Sequence, residues 1–122
     1  MNDSMTKQQS TCPVMLWDGD CEFCAKWIER WHRLTGDAVS YRPYQDALED
    51  FPQLSVAACR RAVQLVLPDG TVFSGAHAVL RTLSIAGRYP RLLVLYEGFP
   101  LFRWLMDLGY RFVAANRSWL PK

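Results

Sequence analysis

The chain has 122 residues, of which 50% are hydrophobic and 21% charged, with a formal net charge of +2 at neutral pH. That length supports one domain whose core needs no disulfide staples, and the balance excludes a disordered or fibrous chain. So small a net charge, with no concentrated run of Lys and Arg, leaves no electrostatic footprint for a nucleic-acid partner.

Residues 1–12 read as a flexible lead-in. MNDSMTKQQSTCP lacks the apolar run of a secretory signal, which makes the cytoplasm the expected compartment. In a reducing cytosol a Cys-x-x-Cys pair is more often catalytic or metal-binding than structural. After Pro13, VMLW is short, apolar and β-prone, as in a strand buried on both faces, and DGD then turns the chain. From Cys21, the apolar positions Cys24, Trp27, Ile28, Trp31 and Leu34 recur at steps of three and four, opposite Lys26, Glu29, Arg30 and Arg33. This is an amphipathic helix, closed by Gly36.

VSYRPY, from Val39 to Tyr44, predicts a strand that ends or forms a sheet edge at Pro43. Residues 45–62 read as helix in two pieces broken at Pro52, the second capped by Ser55. VQLVL and TVFSG flank Pro68, Asp69 and Gly70, a hairpin signal, so these two strands pair antiparallel. Helical spacing resumes from Ala76 to Ala86 and stops at Gly87. Residues 92–118 predict one or two further helices separated near Gly98 and Pro100.

The order strand, helix, strand, helix, strand, strand, helix defines an α/β class. Its first two strands are parallel across a right-handed crossover, and the hairpin adds antiparallel strands to give a thioredoxin-like mixed sheet flanked by helices. Residues 13–88 form that core, and 89–122 form a helical C-terminal extension packed on the same domain. The apolar run from Leu92 to Tyr110 is broken by Glu97, Gly98, Pro100, Arg103 and Asp107. It falls short of the roughly 18 uninterrupted apolar residues of a membrane span. Its aromatic and aliphatic content still suits peripheral docking on a membrane or protein through 92–112.

The chemistry concentrates at Cys21 and Cys24. A Cys-x-x-Cys opening a helix directly after a buried strand reads as a redox motif. Backbone N–H groups and the macrodipole at the helix start favour a thiolate, the reactive form, on the first cysteine. Cys21 is then the exposed nucleophile and Cys24 the resolving thiol. Asp18, Asp20 and Glu22 oppose a thiolate by like charge, so the spacing does not fix the direction of electron flow. Asp18 either accepts a proton from Cys24 during exchange or only shapes the turn with Gly19. Phe23 either shields Cys24 or touches a substrate.

DGDCEFC after a short apolar strand resembles the Asp-x-x-Cys-x-x-Cys signature of the DCC family of thiol-disulfide oxidoreductases. PDGTVFSGAHAVLRTL and GYRFVAANR resemble that family's hairpin-plus-helix and its C-terminal ending, so the likeness runs from about Val14 to Ser118. It implies a thioredoxin-like fold, with Asp18, Cys21 and Cys24 as motif residues. Two departures stand out. Trp17 sits where the family commonly has Tyr, and RRAVQLVL lacks the proline that thioredoxin relatives place before their third strand to hold substrate peptides. The missing proline argues against a general protein-disulfide role.

The other candidates read as structural. Cys59 is a buried apolar thiol, Cys12 an exposed incidental one, and His32 and His77 are surface or packing residues. Trp27, Trp31 and Trp104 fill core or interface volume. Zinc would need a second ligand pair, whereas Cys12, Cys59, His32 and His77 are scattered singly. The expected function is disulfide exchange with no bound cofactor. Its substrate is a disulfide- or thiol-containing protein or a small thiol, and a separate redox partner completes the cycle. The alternative is a thioredoxin-like interaction module whose cysteine pair is vestigial or regulatory.

Overall fold

The computed structural model describes residues 12–116. The predicted lead-in therefore lies outside the described residues except for Cys12, as does the predicted end of the last helix at Ser118.

The VMLW run forms β1 (Val14–Trp17) and is central to a four-stranded sheet of order β2-β1-β3-β4. It runs parallel to β2 (Ser40–Pro43), pairing Val14 with Ser40 and Trp17 with Pro43. It runs antiparallel to β3 (Gln64–Val66), with Met15 opposite Leu65, and β3 pairs antiparallel with β4 (Val72–Ser74). This is the expected thioredoxin-like mixed sheet. Pro43 closes an edge strand, where its missing N–H interrupts no ladder. The predicted Pro68-Asp69-Gly70 turn folds through Gly70 N–H to Leu67 O (2.9 Å) and Thr71 N–H to Asp69 Oδ1 (2.9 Å).

Six α-helices are described: α1 (Glu22–Thr35), α2 (Tyr44–Ala47), α3 (Val56–Arg61), α4 (Gly75–Ile85), α5 (Pro90–Gly98) and α6 (Pro100–Asn116). The predicted break at Pro52 separates α2 from α3. Ser55 caps α3, its Oγ accepting the Ala58 N–H at 3.1 Å.

Strand alternation sends β1 side chains to two cores. Val14 and Leu16 pack with Val66, Tyr44, Ala47 and Cys59 on the α2–α3 side. Met15 packs with Leu65, Ile28, Val39, Val63 and Ala78 on the α1–α4 side. Met15, Leu16 and Leu65 are fully enclosed, each contributing about 1.5–3 kcal/mol of transfer free energy. Gln64, also buried, is satisfied: its Nε2 donates to Ala58 O (3.0 Å) and Ala62 O (3.1 Å), and Ser74 Oγ donates to its Oε1 (2.6 Å). These bonds fasten α3 and β4 to β3.

A third cluster, Ala76, Leu80, Leu93 and Tyr96 with Phe102, Met106 and Tyr110, seats α5 and α6 on α4. Only one face of α6 is used in that packing. Leu101, Trp104, Leu105, Leu108 and Phe112 stay exposed, so of the core or interface role expected of Trp104 the core part does not hold. Trp27 is likewise 37% exposed. Cys12 is also corrected, because it is half-buried with its Sγ 3.6 Å from Ala38 O. Among the described residues no helix is long and apolar enough to cross a membrane.

Candidate active site

Cys21 is the N-cap of α1 rather than its first helical residue. Its backbone is extended (φ −106°, ψ 112°) and its Sγ accepts the N–H of Cys24 at 3.2 Å. The sequence places both cysteines inside the helix at i and i+3, where Cβ atoms lie roughly 5–6 Å apart. The cap geometry replaces that picture: the first sulfur folds over the opening turn and points at the backbone of the second cysteine. An N-cap acceptor satisfies one of the orphan donors of a helix start, so sulfur here performs the part usually taken by a hydroxyl or carboxylate oxygen. Both cysteines are unbridged thiols and half-buried.

The DGD turn is held from a distance. Cys21 N–H donates to Asp18 O at 3.2 Å, and Asp20 N–H donates to Asp18 Oδ1 at 3.0 Å. Gln45, at the start of α2, reaches across with its Nε2 to Asp18 Oδ1 (3.0 Å) and Asp20 Oδ2 (3.3 Å), while its Oε1 accepts the Gly19 N–H at 3.0 Å. A Cβ at position 19 would lie 3.0 Å from both Gln45 Oε1 and Pro43 Cβ, so any larger residue there requires these neighbours to shift by a few tenths of an ångström. Gln45 thus draws two carboxylates of like sign into one turn. Sequence reasoning missed it, because nothing local marks a residue that bonds 25 and 27 positions back.

Behind Cys24 lies a cavity of about 460 Å³. Phe23, Cys24, Trp27 and Trp31 of α1 form one wall, and Ala76, Val79 and Leu80 of α4 form another. Leu105, Met106, Gly109, Tyr110, Val113 and Ala114 of α6 form a third side, and among the described residues that line it Asp18 is the one with a carboxylate or basic side chain. Asp18 and Cys24 therefore share this cavity, while Cys21 stands outside it. Cys59 lines it too, 1% exposed, as expected of a buried thiol, and burial pushes its pKa up.

Tyr110 is the second residue given no role by the sequence. Its hydroxyl accepts the N–H of Val63 at 3.1 Å, and its ring lies 3.5 Å from where a Cβ on Gly75 would stand. Gly75, at φ +61°, tolerates both that close approach and its left-handed backbone. His77 is bound on the surface rather than near the cysteines, with Nε2 2.9 Å from Glu97 Oε2, and His32 packs its ring 5.3 Å from that of Tyr41. Among the described residues no group of three or more His, Cys, Asp or Glu side chains is placed to hold a metal ion.

A thioredoxin-like sheet with a Cys-x-x-Cys capping the helix after its first strand defines a class of thiol-redox folds. A family model for DCC1-like thiol-disulfide oxidoreductases matches residues 15–122, and the chain belongs to that family. No curated protein and no solved structure matches it.

Proposed function

We propose that the chain is a thiol-disulfide oxidoreductase acting through a mixed disulfide. Cys21 attacks a substrate disulfide, and Cys24 resolves the mixed disulfide, leaving a Cys21–Cys24 bond. The observation that supports this most is the position of Cys21 Sγ, half-exposed at the N-terminus of α1 and 3.2 Å from the Cys24 backbone nitrogen. In this reading residues 13–88 carry the redox chemistry, and helix α6 of the 89–122 segment backs the site. The expected compartment is the cytoplasm.

Asp18 serves the same reaction as proton acceptor for Cys24, with which it shares the cavity edge. Its turn-shaping bonds from the Asp20 N–H and Gln45 Nε2 both fall on Oδ1. Asp18→Asn keeps an acceptor oxygen for the turn and removes the base, so it lowers exchange by a factor on the order of 10² while leaving unfolding unchanged. The deciding experiment is a thiol-exchange assay on Cys21→Ser and Cys24→Ser. Cys21→Ser loses all turnover, and Cys24→Ser accumulates a mixed disulfide visible by mass; full activity in Cys21→Ser sinks the mechanism.

The exposed apolar stripe of α6 favours a second reading, docking of this face on a membrane surface or protein, with the thiol pair regulatory. Leu101 is 69% exposed, Trp104 59% and Phe112 62%, a contiguous patch of the kind that marks interaction sites. Failure of the pair to form a disulfide under any oxidant selects this reading over the first.

A further inference from the structure

We propose that the cavity behind Cys24 binds the apolar body of a small-molecule disulfide and presents its sulfur–sulfur bond to Cys21; this names the substrate class of the oxidoreductase proposed above and rests on that reading. At about 460 Å³ the cavity lies within the roughly 300–1,000 Å³ of small-molecule sites, which are likewise mostly apolar with few polar groups. Asp18 and Cys24 line it where the chemistry is, and apart from Cys59 the remaining lining residues are apolar or aromatic. The mouth is accessible, because Trp27, Leu105 and Val113 both line the cavity and stand exposed at 37%, 52% and 39%.

The wall also argues against a peptide. An extended peptide is held by pairing with free main-chain groups, with side-chain pockets supplying specificity. Val63, a lining residue just before β3, has both its main-chain groups taken: its N–H by Tyr110 Oη at 3.1 Å and its carbonyl by the Gly75 N–H at 3.0 Å. No proline stands beside it to shape a peptide groove. What remains is a half-open, mostly apolar volume lined by Cys24, whose backbone N–H meets the Cys21 sulfur at 3.2 Å from outside it, and it discriminates by apolar shape.

Cys21 thiolate attacks one substrate sulfur, the substrate S–S bond breaks, and the departing thiolate takes up a proton. Cys24 then attacks Cys21, releasing the second substrate thiol. The substrate gains two electrons and two protons, the protein pair becomes a disulfide, and a dithiol reductant regenerates it.

The test uses the full chain with dithiothreitol as regenerant and two substrates, bis(2-hydroxyethyl) disulfide and benzyl 2-hydroxyethyl disulfide. Since even one methylene in an apolar pocket changes specificity by about tenfold or more, kcat/KM for the benzyl compound, corrected for direct reduction by dithiothreitol, exceeds that for the hydroxyethyl compound by at least about tenfold. Gly109→Leu fills the cavity from a helical position where an added Cβ meets nothing within 4 Å, and it brings the ratio to about one. Benzyl 2-hydroxyethyl sulfide, which cannot be reduced, quenches or shifts tryptophan fluorescence in Cys21→Ser and not in Cys21→Ser/Gly109→Leu. Rates within twofold for the two disulfides overturn the proposal and leave the oxidoreductase reading intact. Faster reduction of a disulfide joining two unstructured peptides overturns it as well. Absence of exchange with every disulfide removes both readings.

Discussion

Replacing Cys21 by serine and by alanine separates what its sulfur does for the helix from what it does for chemistry. The sulfur accepts the Cys24 N–H at 3.2 Å from an extended N-cap residue. Serine offers a stronger acceptor at the same place, whereas alanine leaves that N–H to water. Losing an N-cap acceptor costs about 0.5–2 kcal/mol. Because Cys21 and Cys24 are half-buried, water recovers part of this, and the expected gap between the two variants is about 0.5–1 kcal/mol, serine above alanine. In a domain of this size the gap is about 2–6 °C in Tm. Urea unfolding in the presence of reductant reads it as a change in midpoint at constant slope. Both variants lose disulfide exchange completely. Equal stability of the two refutes the cap, and exchange surviving in either refutes the nucleophile.

Tyr110→Phe keeps the ring against Gly75 but orphans the Val63 N–H, which lowers stability by about 1–3 kcal/mol in the same assay; an unchanged midpoint contradicts the bond. Gln45→Leu leaves Asp18 and Asp20 without their shared donor and loosens the turn that positions Cys21. It lowers the exchange rate more than it lowers stability, and an unchanged rate refutes this coupling. Glu97 is held below the usual carboxylate range first by His77 and also by Arg81. Its contribution is present above the unfolded value of about 4.3 and is lost as pH falls through the lower folded value. For so exposed a group it amounts to less than about 1 kcal/mol at neutral pH. Glu97→Gln therefore narrows the difference from the parent as pH drops below about 4, and a difference that stays constant there contradicts the pairing. Cys59, buried and with its thiol pushed up, reacts with iodoacetamide far more slowly than Cys21 in the native protein, and equal rates contradict its burial.

Local signals carried most of the fold. VMLW, Gly36, Ser55, Pro43 and the Pro68-Asp69-Gly70 turn act on their own neighbours, so the strand order and helix ends could be read directly from the chain. The cysteine pair was legible for the same reason, although the strand-to-helix junction moved Cys21 from the helix to its cap. What escaped were contacts whose partners lie far apart in sequence. Gln45 bonding the DGD turn and Tyr110 bonding Val63 depend on how α2 and α6 are set against the sheet, which no residue-level pattern encodes. The cavity is likewise a product of α6 lying across α1 and α4. Trp27 and Trp104 show the limit of periodicity. Apolar spacing marks a face that can be buried, and the packing of Phe102, Met106 and Tyr110 decides which face of α6 is used.

The central claim is that Cys21 and Cys24 form and break a bond with each other under cellular redox conditions. Alkylation of the full chain across graded dithiothreitol and glutathione buffers, with the bonded cysteines assigned by mass spectrometry, tests it most directly. The account predicts one reversible two-electron transition confined to Cys21 and Cys24. Both thiols remaining reduced in the most oxidising buffer, or either one pairing instead with Cys12 or Cys59, contradicts it.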